Sequence, residues 1–332
     1  MRATFLFSTF LILLQIHIFP HRSNGPLKPL DNVMLPGLEG ELEHMAVDVK
    51  GERIFLAATT KNTIEVYTAQ KLKHIATITG LKQPQDLVFV PETGNLLVTN
   101  AADGSLRTYD GKTFKLLDSK LVSGDAQRLA VGPGGKTAYV GWGVGTLAIF
   151  DMQTGRHSDI KLKSPAESFQ VDSAGNRIFV NHPGTDEISE IDRRSLIVYA
   201  SWPVHPFHEN GPMALDEANR RIFVVCRRPA KLLVLNMDDA AVMASLPTVG
   251  DAADVFYDRE RKRIYVIGGE GMVDVIKQKG PDEYSTVSHT ETLPGARTGL
   301  FVPEWNRIYV VARNRPPFDP AEMLSFNIED AR

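Results

Sequence analysis

The chain has 332 residues, 43% of them hydrophobic and 23% charged, with a net charge of −3. This balance suits a folded globular protein and excludes a disordered polyelectrolyte or a global basic field that would draw nucleic acid or an anionic membrane. Cys226 is the one cysteine, so no intrachain disulfide can form and the folded part must rest on its apolar core.

In chain order, residues 1–25 stand apart. Arg2 precedes an apolar run from Phe5 to Phe19, broken at Pro20. That is the layout of a secretory signal, or of an uncleaved anchor, and the run is short of the roughly 20 residues a membrane span needs. No cysteine closes it, which excludes a bacterial lipoprotein. Export without disulfides predicts a periplasmic or extracellular protein whose mature part has no membrane span.

From residue 28 to 330 one outline recurs. It is clearest between Arg221 and Asp258, where apolar runs (Ile222 to Val225, Leu232 to Leu235, Val242 to Leu246) alternate with polar turns. Aligned on the polar residue that opens the second run, the repeats fall at Arg53, Asn95, Thr137, Arg177, Arg221, Arg263 and Arg307, between 40 and 44 residues apart. A period in the low forties built of short β-rich runs predicts an all-β fold, a seven-bladed propeller with four-stranded blades. The second runs are apolar on successive residues, as strands covered on both faces should be. The last unit supplies three strands, and Leu30 to Leu35 is expected to add the fourth, closing the ring and leaving no bare sheet edge there. A single domain and a monomer follow.

Leu97-Val98-Thr99-Asn100, the Gly-Asp-Ala links at Gly124 and Gly250, and the RIYVVA and RIFVV runs resemble the YVTN-repeat propellers, the YncE-like group within the lactonase-type propellers. The resemblance spans residues 30 to 330. It implies an exported propeller, and most such relatives have no assigned reaction. The propeller geometry it implies places the link into each first strand and the loop after each second strand on one face, around the channel mouth. Nine residues before the alignment points stand His44, Asp86, Arg128, Ser168, Pro212, Asp254 and Thr298; ten before stand Glu43, Gln85, Gln127, Glu167, Gly211, Ala253 and Arg297. The next residues inward are mostly apolar. Asn100, Trp142, His182, Arg227, Glu270 and Arg313 form an outer ring, with His205 and His208 on a long link.

Unlike side chains at equivalent positions suit a pocket for a specific polar ligand. The candidate ligand-binding set is His44, Gln85, Gln127, Glu167, Asp254, Arg297, Asn100, His182, Arg227 and Arg313. The competing explanation is that these groups hydrogen-bond neighbouring links. Arg227, Arg297 and Arg313 suit capture of a carboxylate or phosphate. For a divalent metal the candidates are Glu43, Glu167, Asp254, His205 and His208. The lactonase resemblance implies carboxylate and amide ligands, Glu43 or Glu167 with Asp254 and Asn100 or Asn210, although gluconolactonase-type propellers with such a site have six blades. No nucleotide loop or nucleophile elbow is present, and the apolar context of Cys226 marks a structural thiol. The expected function is non-catalytic binding of a small polar or anionic ligand, or of a protein segment, at the channel mouth. The alternative is a metal-dependent lactonase using the same mouth.

Overall fold

The computed structural model describes residues 25–174, 176–315 and 320–330. Their strands form seven four-stranded antiparallel sheets, the blades of the expected propeller. In blade one, Leu42–Asp48, Arg53–Ala58, Thr63–Thr68 and His74–Ile78 pair in that order. The first strands of blades two to seven are Pro84–Val90, Ala126–Val131, Ser168–Val171, His208–Asp216, Ala252–Asp258 and Ala296–Val302. Each touches the first strand of the next blade, and that of blade seven touches that of blade one, so the sheets form a closed ring around a channel.

Short side-chain bonds explain the tight turns. Asp110, Asp151 and Asp192 end third strands, and each accepts two backbone N–H groups from the following turn. Asp48, Asp172, Asp216 and Asp258 close turns between first and second strands on the other face of the ring, accepting from the N–H groups of Gly51, Asn176, Asn219 and Arg261. Aspartate suits both places because its carboxylate reaches backbone two to four residues on.

The core is divided among the interfaces between blades. Leu42, Met45 and Leu56 of blade one pack with Tyr309, Val311 and Met323 of blade seven, and the other six interfaces hold equivalent clusters. Cys226 is fully buried in one of them, and burial pushes its thiol up to about 12, so it is a packing group.

Closure occurs as expected, by strand exchange between the ends of the chain. Leu27–Met34 pairs antiparallel with Glu322–Ile328. The strand begins three residues before the expected Leu30. Its anchor is the fully buried Leu27, whereas Leu30 is 47% exposed. The register shifts between Pro29 and Asn32, where the Asp31 N–H donates to Ser325 Oγ. Proline, lacking an N–H, is tolerated on such an outer strand. Most of the N-terminal apolar segment, residues 1–24, lies outside the described residues. No helix among the described residues is long and apolar enough to cross a membrane.

Candidate functional site at the channel mouth

The backbone itself turns the candidate side chains toward the channel. In six of the seven blades the pairing of first and second strands shifts register near the start of the first strand, as between Leu42 and Met45 or Ala252 and Asp254. The shifted residues fall at the two offsets read from the repeat: Glu43 and His44, Gln85 and Asp86, Gln127, Gly211 and Pro212, Ala253, and Arg297. Such bulges re-aim side chains at the rims of closed β-structures. Just before them, Gln83, Asp125, Glu209, Asp251 and Gly295 all have left-handed φ between 50° and 83°. The N–H groups of Thr59, Ala101, Gly143 and Gly269 donate to the carbonyls of Glu41, Gln83, Asp125 and Asp251, which knits the loop after the second strand to the link on the same face.

The channel holds a cavity of about 360 Å³. His44, Asp86, Arg128, Ser168 and Asp254 surround its mouth, over an apolar wall that includes Leu129, Phe169, Met213 and Val255. Blades four and five give Ser168 and Pro212 where blades one to three give His44, Asp86 and Arg128, and blade six adds Ala253 beside its Asp254. The open volume is therefore displaced toward the small side chains.

Arg128 is the centre of the polar network. Its Nη1 donates to His44 Nε2, and its Nη2 lies 3.8 Å from Glu167 Oε1. Accepting from a guanidinium requires a neutral imidazole with its proton on Nδ1. Burial, Arg128 and Arg297 all keep His44 well below its usual pKa, which agrees. Arg227 crosses from blade five, donating to Glu167 Oε1 at 2.9 Å and to the Ala252 carbonyl at 3.0 Å. Burial would raise the Glu167 carboxyl, but Arg128 and Arg227 hold it below its ordinary range. Burial raises Glu43 against the pull of Arg128 and Arg297.

Asp86 and Asp254 are equivalent by repeat position and do the same structural work. Asp86 Oδ2 accepts the Leu129 N–H of blade three at 2.9 Å, and Asp254 Oδ2 accepts the Gly299 N–H of blade seven at 2.7 Å. Asp86 also uses Oδ1, on the Leu87 N–H. Burial pushes both carboxyls up to about 6. Ser168 donates to the Gly211 carbonyl and Thr298 to that of Leu42, so stitching of neighbouring blades accounts for part of this ring.

The other candidates are dispersed. Asn100 and His182 do not face solvent: Asn100 caps the Lys82 N–H, and His182 bridges the Ser164 carbonyl and Ser189 Oγ. Both end second strands, a position buried beneath the neighbouring link. Trp142 packs between blades two and three with a buried indole nitrogen and offers no stacking face at the mouth. Gln127 bonds Asp125, and Gln85 lies half-buried on its bulge. Arg297 pairs with Asp251 at 3.1 Å and Arg313 with Glu41 at 2.5 Å, so the rim arginines are matched by their own carboxylates.

Of the metal candidates, His208 Nδ1 lies 2.6 Å from Asp186 Oδ2, and His205 packs edge-on against His208, away from the channel cavity. Among the described residues, no three His, Cys, Asp or Glu side chains are grouped to hold a metal ion. Sequence reading passed over Arg128 and Asp86 as ligand candidates although both sit on the ring it identified. The signal was available in their offset.

No family model matches the chain, and no curated protein matches it. Among solved structures, a chain from the crystal structure of the mitotic checkpoint complex superposes with a TM-score of 0.78 at 11% identity, over 98% of this chain and 99% of that one. Identity this low establishes the fold alone. With 1798 solved chains matching, the fold is too widely used to specify a function.

Proposed function

We propose that this is an exported propeller of the YVTN-repeat kind that holds a small polar ligand in the mouth of its central channel without transforming it. The observation that carries this reading is the cavity of about 360 Å³, a volume typical of small-molecule sites, with polar groups at its mouth and an apolar wall below. Binding is favoured over catalysis because the reactive groups are already engaged. His44 accepts from Arg128 through Nε2 and is unavailable as a base, Ser168 Oγ donates to a carbonyl with no base behind it, and Cys226 is buried. The apolar run before residue 25 supports export.

Ala253→Trp should fill the cavity from a bulge position while leaving the ring intact. A panel of small organic ions and neutral polar compounds should contain at least one that raises the melting temperature of the natural protein, and the variant should lose that response while keeping its circular dichroism. An undiminished response in the variant would put the binding site elsewhere.

A further inference from the structure

We infer that the mouth of the channel selects a ligand with a cationic nitrogen, an ammonium or guanidinium on a short apolar body, and seats that nitrogen on Asp254. This deepens the proposed binding role and rests on it.

The arginines at the rim first suggest an anionic ligand, but their partners remove that suggestion. Arg227 is held by Glu167, Arg297 by Asp251 and Arg313 by Glu41. Two guanidiniums line the cavity: Arg259 pairs with Glu217 at 3.5 Å, and Arg128 has its Nη1 committed to His44. With Glu167 set against Arg227, Glu43, Asp86 and Asp254 remain around Arg128, so carboxylates outnumber the guanidiniums left to neutralise them. The field in the mouth favours a positive guest.

Within that ring the carboxylates are not equivalent. Both Asp86 oxygens accept backbone N–H groups, and Glu167 is engaged by Arg227. Asp254 gives Oδ2 to Gly299, and Oδ1 has no hydrogen bond among the described residues although the side chain lines the cavity. The flanking bulge residue Ala253 and Pro212 of blade five are small and uncharged, which leaves space beside that oxygen. The groups whose charge acts on Asp254 include Arg128, Asp86 and Glu43; His44, also at the mouth, is neutral. Two of these carry the same sign as Asp254, and a bound cation would relieve their repulsion. Below the ring, Leu129, Phe169, Met213 and Val255 offer an apolar wall to the rest of the ligand.

The test uses butylammonium and butylguanidinium against butyrate and butanol, with binding followed by calorimetry and thermal shift at about pH 8 and about pH 5. Asp254 and Asp86 both protonate on acidification through about 6, whereas His44 stays neutral, so the acid arm removes the negative charge of the ring without adding an imidazolium, and Asp254→Asn separates Asp254 from Asp86. The two cations should bind at about pH 8 and weaken at least about tenfold at about pH 5 and in Asp254→Asn, the scale of one charge-assisted hydrogen bond. Asp254→Asn keeps a carbonyl oxygen for the Gly299 N–H and so preserves the fold. Equal binding of butyrate or butanol, or unchanged cation binding in Asp254→Asn, overturns the cation assignment. If Ala253→Trp still abolishes that binding, the channel reading survives alone. If no probe binds, the cation assignment falls, and the wider panel with Ala253→Trp decides the channel reading.

Discussion

Asp86 and Asp254 occupy one repeat position, yet they should respond differently to the same substitution. Each carboxyl is raised by burial to about 6, so the native state holds protons that the unfolded chain has released. For a carboxyl raised in this way, ionisation disfavours the fold, and stability falls as pH rises from the ordinary aspartate range through about 6. At about pH 8 each costs on the order of 3 kcal/mol, since a tenfold change in proton affinity corresponds to about 1.4 kcal/mol. In Asp254 a single oxygen is bonded, and an amide can replace it. Asp254→Asn should therefore raise stability to urea at about pH 8 by roughly 1–3 kcal/mol and flatten its dependence on pH between about 4 and 7. Asp86 satisfies two N–H groups with two oxygens, and an amide has one acceptor. Asp86→Asn should gain from the lost charge but orphan a buried N–H, costing about 1–3 kcal/mol, and so yield no net stabilisation. Equal stabilisation of both variants would mean that the hydrogen bonds do not distinguish them. The offset of these residues was legible in the sequence because a fixed period fixes which side chains meet at the hub. Their partners were not. Arg297 is matched by Asp251 and Arg313 by Glu41, residues in the links, where the repeat imposes no common side chain.

Strand positions were the most readable feature, since apolar runs bounded by aspartate turns leave little freedom in where an element starts or stops. The misplaced boundary is instructive. Lys28, Pro29 and Asp31 give the N-terminal strand a polar, linker-like appearance, because an outer strand buries little of its length and, within it, only Leu27 is fully buried. Leu27 packs among Tyr265, Ile308, Phe326 and Ile328, where blades six and seven meet. Its removal should therefore be felt well beyond its own strand. Leu27→Ala is expected to cost about 2–5 kcal/mol in urea unfolding, the range for buried leucines, and to speed amide exchange along Glu322–Ile328. A cost under about 1 kcal/mol would show that the closing strand is only loosely held. Second-strand ends were misread for the opposite reason. Asn100 and His182 are polar and precede loops, which is how a rim residue reads, but the neighbouring link covers them and consumes their hydrogen bonds.

At the scale of the ring, seven interfaces carry comparable apolar clusters, so packing alone gives no reason for the chain to divide blade seven between its two ends. The reason lies in closure. A ring whose ends met between two complete blades would be held there only by side-chain contact, whereas a shared blade adds a ladder of backbone hydrogen bonds that must break before the ring can open. The two described ends adjoin, with the Glu329 N–H donating to the Pro26 carbonyl at 2.8 Å, so they can be joined by a short linker. Two circular permutants then separate packing from strand sharing. One is opened at the exposed Lys163, between blades three and four; the other at Gly155, between the third strand (Thr146–Asp151) and fourth strand (His157–Lys161) of blade three. The second reproduces the natural arrangement in a different blade, while the first has no blade shared between its ends. Both should fold, since every blade interface is retained. The Lys163 permutant should be less stable by roughly 2 kcal/mol or more, the scale at which closure of a long loop registers in stability, and should show faster amide exchange at the interface of blades three and four. Equal unfolding midpoints would mean that the ring closes by packing, and that the mouth geometry does not depend on the shared blade.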